Sequence, residues 1–191
     1  MKLRHAAAIV FLAHVIPAIA WAAVKPLRLV APELNGVACT QERLCTDDLA
    51  RLLEARALLA EAEDFVGREL GAIQRRPTVV FCSTDECSRA FGLTGAAGIT
   101  VGPLGVVMAK RGWQPFYVRH ELIHVLQYER LGTLQMWLFT PSWFIEGMAY
   151  GRSEDPRQSL SQPFQGWRER YGRWEASLAG QDLWTAAQRL R

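Results

Sequence analysis

The chain is poor in the features that assign most proteins to a function class by eye. Its basic and acidic residues are interspersed, no run of Lys and Arg stands out, and the formal charge of +3 offers a nucleic-acid backbone no stripe to follow. There is no G-x-S-x-G elbow and no Gly-rich phosphate loop, so the usual serine-hydrolase and nucleotide-binding arrangements are missing. Past residue 22, no apolar stretch approaches the roughly 20 residues that a helix needs to cross a bilayer. No internal repeat or low-complexity tract appears. Histidine is scarce, with four in all, at positions 5, 14, 120 and 124, and cysteine is limited to positions 39, 45, 82 and 87.

What is present begins with a leader. Lys2, Arg4 and His5 form a basic start, residues 6–20 are apolar, and Ala20-Trp21-Ala22 has the small-x-small form of a signal-peptidase site. The expectation is a secretory signal over residues 1–22, cut before Ala23, and a secreted or periplasmic domain over residues 23–191. An uncleaved membrane anchor is the rival reading, but the apolar stretch is short and is interrupted by His14 and Pro17. The remainder, in a chain of which half the residues are apolar, is long enough for one real core. Export allows thiols to pair. The expectation is two short disulfide loops, Cys39 with Cys45 and Cys82 with Cys87; the alternative, a four-cysteine zinc site, prefers tighter C-x-x-C couples.

Helical spacing of Leu49, Leu52, Leu53, Leu59, Phe65, Val66 and Leu70 after the cap signal Thr46-Asp47-Asp48 predicts a long amphipathic helix. The β-branched and aromatic run Thr78-Val79-Val80-Phe81-Cys82 predicts a strand, taken as the first, followed by a short helix ending near Gly92. Two further strands are expected at 99–101 and 105–109, around the turn Gly102-Pro103, in a three- or four-stranded sheet. From Pro115 the period changes to 3.6, with Val118, Leu122, Val125 and Leu126 on one face of a helix that ends at Gly132. A second apolar block covers 134–139, another helix carries Trp143, Phe144, Ile145, Glu146 and Met148, and an Arg- and Trp-rich helix closes the chain.

His120-Glu121-Leu122-Ile123-His124 is an H-E-x-x-H arrangement. Residues four apart share a helix face, so both imidazoles can reach one metal ion while Glu121 addresses a water on it. Once the leader is removed, these are the only two histidines, so a third ligand must be an acid. Glu146 is the candidate, because a glutamate among Trp143, Phe144, Ile145 and Met148 is costly to bury without a partner.

H-E-L-I-H-V-L-Q followed by P-S-W-F-I-E-G-M-A-Y, within residues 118–151, resembles the gluzincin metallopeptidases, in particular small peptidase MA-like domains. The resemblance implies an α+β, zincin-like fold: a small twisted sheet, an active-site helix bearing His120, Glu121 and His124, and a second helix bearing Glu146 as third Zn2+ ligand. It also implies a sheet-edge strand that pairs with extended substrate, for which 105–109 is the candidate. It departs from thermolysin-like enzymes in having no downstream histidine for the oxyanion, so Tyr150 and Tyr171, with Arg152 third, are the candidates for that task. Arg119 is expected to point away from the metal toward the helix surface.

The function so implied is an exported zinc-dependent metallopeptidase acting on a peptide or protein substrate, with Glu121 as general base. The alternative is a catalytically silent zinc-binding scaffold or regulator at the cell envelope. Substrate specificity is expected to be set by loops 92–105 and 153–165.

Overall fold

The computed structural model describes residues 24–190; the expected signal segment, 1–22, lies outside them. The described residues form an α+β fold with one mixed five-stranded sheet and seven α-helices. In chain order these are β1 (Ala38–Cys39), β2 (Leu44–Thr46), α1 (Leu52–Glu69), β3 (Thr78–Phe81), α2 (Asp85–Ala90), β4 (Gly98–Val101), β5 (Gly105–Met108), α3 (Pro115–Leu131), α4 (Thr133–Leu138), α5 (Ser142–Arg152), α6 (Phe164–Ala176) and α7 (Leu183–Ala187).

The strand order is β1-β2-β3-β5-β4, parallel for β2, β3 and β5 and antiparallel at both edges. Two expectations are corrected here. The sheet has five strands because β1 and β2, two and three residues long, precede β3. The segment 105–109 does not line an edge: β5 is hydrogen-bonded to β3 on one side and β4 on the other, and β4 is the outer strand. Val106, Val107 and Met108 are apolar in succession because both faces of β5 are covered.

Asp48 caps the short 3-10 turn Leu49–Arg51 through the Ala50 N–H and leads into α1. The apolar stripe of α1 is narrower than its leucine count suggests. Ala55, Leu59, Ala62, Phe65 and Val66 are buried, whereas Leu49 and Leu53 face solvent, Leu53 at 80% exposure. Pro115 sits in the first turn of α3, where its missing N–H costs nothing, and Gly132 at φ 83° ends the helix. In α4, Met136 is buried while Leu134, Trp137 and Leu138 remain exposed.

The α3 helix is held from both sides. Against α1, the Arg119 guanidinium lies 4.0 Å from the centre of the Phe65 ring and donates to Glu61 and to Glu154 beyond α5. Arg119 does point away from the histidines, but its side chain is only 14% exposed, so it acts as a clamp between elements and not as a surface group. On the far side, α5 and α6 approach so closely that a Cβ on Gly147 would lie 2.3 Å from the Trp167 carbonyl oxygen. Phe144, Tyr171 and Trp174 fill the space behind. The C-terminal aromatics thus serve the core, as their helical spacing suggests.

Candidate metal centre

The i, i+4 spacing on α3 turns both imidazoles to one side, and α5, seated by Gly147, brings Glu146 across from them. The His120 and His124 Nε2 atoms are 3.1 Å apart. Glu146 Oε2 is 3.6 Å from His120 Nε2, and Oε1 is 3.8 Å from His124 Nε2. An ion with tetrahedral bonds near 2.0–2.2 Å holds its ligands ~3.4 Å apart, and these three separations bracket that value.

The tautomers fit the same use. Gln127, wholly buried, donates from Nε2 to the Ile145 carbonyl at 3.0 Å, which turns its Oε1 to His124 Nδ1 at 2.9 Å. His124 therefore carries its proton on Nδ1 and presents a lone pair from Nε2. A lone pair facing a second imidazole nitrogen at 3.1 Å, with a carboxylate alongside, is a repulsive cluster unless a cation or proton sits among the three. His120, His124 and Glu146 are a group that can hold a metal ion. Glu146 feels burial, which would raise its carboxyl pKa, but the histidines beside it lower the pKa below the ordinary value.

Glu121 lies beside the triad with a different environment. Thr100 on β4 donates to its Oε2 at 2.7 Å. Burial pushes its carboxyl pKa up, and His124 and the Thr100 hydroxyl offset that only in part. Its side chain passes directly over Gly98, where a Cβ would lie 2.7 Å from Glu121 Cγ and 2.8 Å from Oε1. Glycine at 98 is therefore what lets the carboxylate reach this position.

Above these groups opens a cavity of about 590 Å³, lined by β4 residues Gly98, Ile99 and Thr100, by the triad and Glu121, and by Tyr150 and Arg157 among others. Segments 95–100 and 157–164 both contribute to it. No family model, curated protein or solved structure matches this chain.

Of the residues considered for the oxyanion, the structure separates two that sequence placed together. Tyr150 lines the cavity and meets the His120 ring edge-on at 4.4 Å between centroids. Burial and the nearby Glu146 charge hold its phenol pKa above the ordinary value, with Arg157 opposing, so it keeps a proton to donate at neutral pH. Tyr171 is corrected: it is 1% exposed in the core, and its hydroxyl donates to Glu175 at 2.7 Å instead of reaching the cavity. Arg152 is likewise engaged elsewhere, with Glu69 and Glu175.

Thr100, Gly98, Gln127 and Arg157 were not singled out in the sequence. Gln127 could have been, since it lies three residues after His124 on the same helix face. The others are brought in by tertiary structure and carry no local signal.

Proposed function

We propose that the chain is a zinc metallopeptidase of gluzincin type with a zincin-like core, exported from the cytoplasm and acting on extended peptide. The observation that carries this reading is the convergence of His120, His124 and Glu146 beside a buried Glu121, which Thr100 holds outside that group, at the floor of an open cavity. Two imidazoles and one carboxylate are a donor set suited to catalytic zinc, which keeps a fourth position open. The two disulfides, Cys39–Cys45 and Cys82–Cys87, fit an oxidising compartment. Among the described residues, no helix is long and apolar enough to cross a membrane.

His120, His124 and Glu146 would hold the ion; when bound, zinc supplies Lewis acidity that makes a water more acidic and polarises a carbonyl. The chain's own residues do the rest. Glu121, raised in pKa by burial, takes a proton from the attacking water as its oxygen adds to the scissile carbonyl carbon, and passes that proton to the departing amine as the C–N bond breaks. Tyr150 donates a hydrogen bond to the developing oxyanion. Thr100 keeps Glu121 oriented between the two transfers. The outer edge of β4, beside the cavity, receives the substrate backbone as an added strand, the role that 105–109 cannot fill.

The test is metal analysis of the purified chain beside Glu146→Ala and Glu121→Gln. The reading expects one zinc per chain in the wild type, strong loss in Glu146→Ala, and retained zinc without peptide cleavage in Glu121→Gln. No zinc after reconstitution would sink it. Zinc bound with no cleavage of any peptide by the wild type would leave a binding scaffold in its place.

A further inference from the structure

Arg157 has no part in the steps above, yet it lines the same cavity. Its guanidinium is held by Asp155, which accepts from Nε at 2.8 Å and also from Nη2, and the Asp155 side chain is only 1% exposed. Among the described residues, Nη1 makes no hydrogen bond. The rings of Tyr117, Tyr150 and Phe116 stand around the cation at 5.2, 5.6 and 5.8 Å from its centre. The Arg157 side chain is 39% exposed. A purely structural clamp between Asp155 and its loop would need neither the opening to the cavity nor the free N–H groups.

Rigidity is what makes this arginine suited to a ligand. The Asp155 fork sets the plane of the guanidinium in advance, so little rotamer freedom is left to lose on binding, and the aromatic rings wall off part of it while the rest stays open to the cavity. Asp155 offsets the charge and takes the Nε–Nη2 edge, which leaves Nη1 and the second Nη2 hydrogen as a planar pair of donors that matches a second carboxylate. One aromatic ring, that of Tyr150, separates it from His120. Each extended residue spans ~3.3–3.6 Å, so a group bound there lies within a few residues of a carbonyl placed over the triad.

We infer that Arg157 anchors a carboxylate of the substrate, either the C-terminal carboxylate or an Asp or Glu side chain, close to the scissile bond. This rests on the peptidase reading and gives that site its specificity.

The experiment is calorimetric titration of the zinc-loaded full chain with three peptide hydroxamates of one backbone. The first ends in alanine with a free carboxylate, the second is its C-terminal amide, and the third is that amide with aspartate in place of the alanine. The expected result is that one carboxylate probe binds about tenfold or more tighter than the plain amide, the scale of a charge-assisted hydrogen bond. The first probe winning assigns the anchor to the C-terminus, the third to a side chain. Arg157→Gln erases the preference while the plain amide keeps its affinity within about twofold, and Arg157→Lys, which keeps the charge without the fork, falls between.

Equal binding of all three probes by the wild type overturns the inference, as does a preference that survives in Arg157→Gln. Failure of every probe to bind the wild type sinks the metal-centre reading as well, so the two failures differ in outcome. Should Arg157→Gln not fold because Asp155 is left buried and unpaired, the double variant Asp155→Asn, Arg157→Gln removes that charge and carries the comparison.

Discussion

On one face of the sheet Leu44, Val79, Phe81, Val106 and Met108 pack beneath α1 and α3, with α5 stacked on α3; on the other, Cys45, Val80, Cys82, Val107 and Ala109 meet Leu29, Phe91 and Leu93. The strands alternate between the two, as a period of two requires. The first face carries the two long helices α1 and α3 and a broad core that α5 extends. Among the described residues the second has the short helix α2, the turns near residues 25–35, and both disulfides beside a much smaller apolar cluster. A small core gains less from burial, and closed loops add stability where burial runs short. The difference also bears on where the proposed metal centre sits. A helix that is to hold a metal must be fixed on every side except the one that opens to the cavity, and among the described residues the helix-covered face provides that.

On the proposed reading, the largest effects should therefore come from the helical face, on peptidase activity without loss of fold. Glu121→Gln should lower peptide cleavage by roughly 10²–10⁴-fold, the range for a positioned acid–base group, with zinc content unchanged. Gly98→Ala should approach that loss, since its methyl would strike Glu121 Cγ and displace the base while leaving the triad untouched. Turnover beside zinc analysis checks both. A Gly98→Ala variant with normal turnover would show that the carboxylate has room to spare.

Next in size are the cores. Phe81→Ala, beneath the helices and edge-on to Trp113 at 5.1 Å, should cost about 3–5 kcal/mol in urea unfolding. Opening the other face by Cys82→Ala with Cys87→Ala should cost about 2 kcal/mol, the loop being short, and should leave zinc affinity alone. Loss of zinc from the disulfide variant would mean that the two faces are one cooperative unit and break the contrast.

The helical face was also the more legible in sequence. Spacing alone placed His120, Glu121 and His124 together, and the cost of a lone glutamate among Trp143, Phe144 and Met148 pointed to Glu146. The sheet was harder to read. β1 and β2 are too short for any period to appear, and the position of 105–109 was misjudged although its unbroken apolar run is what an interior strand needs. Thr100 and Gly98 reach Glu121 only through the fold of the β4–β5 hairpin against α3. Tyr150 and Tyr171 are both helical tyrosines near aromatic residues; which of them meets the cavity depends on how α5 turns against α6, a matter of Gly147 and the Trp167 carbonyl that no local pattern reveals.

The smallest effect tests the stapled face by charge. Asp47 follows β2 and accepts from the Ser83 N–H at 2.6 Å and the Thr84 hydroxyl at 2.7 Å, tying β2 to the turn that begins the Cys82–Cys87 loop. Burial works to raise its carboxyl pKa, but these bonds outweigh it and lower the pKa below the ordinary value. A depressed pKa stabilises the fold above the unfolded value near ~4, and that stability is lost as pH falls through the lower folded value. Because the group is partly exposed, Asp47→Asn should cost no more than about 1 kcal/mol at pH 7. Urea unfolding at pH 7 and again well below pH 4 should show the wild type and variant converging in acid. An equal gap at both values would mean that the amide is misfitted to the turn and that the charge contributes nothing.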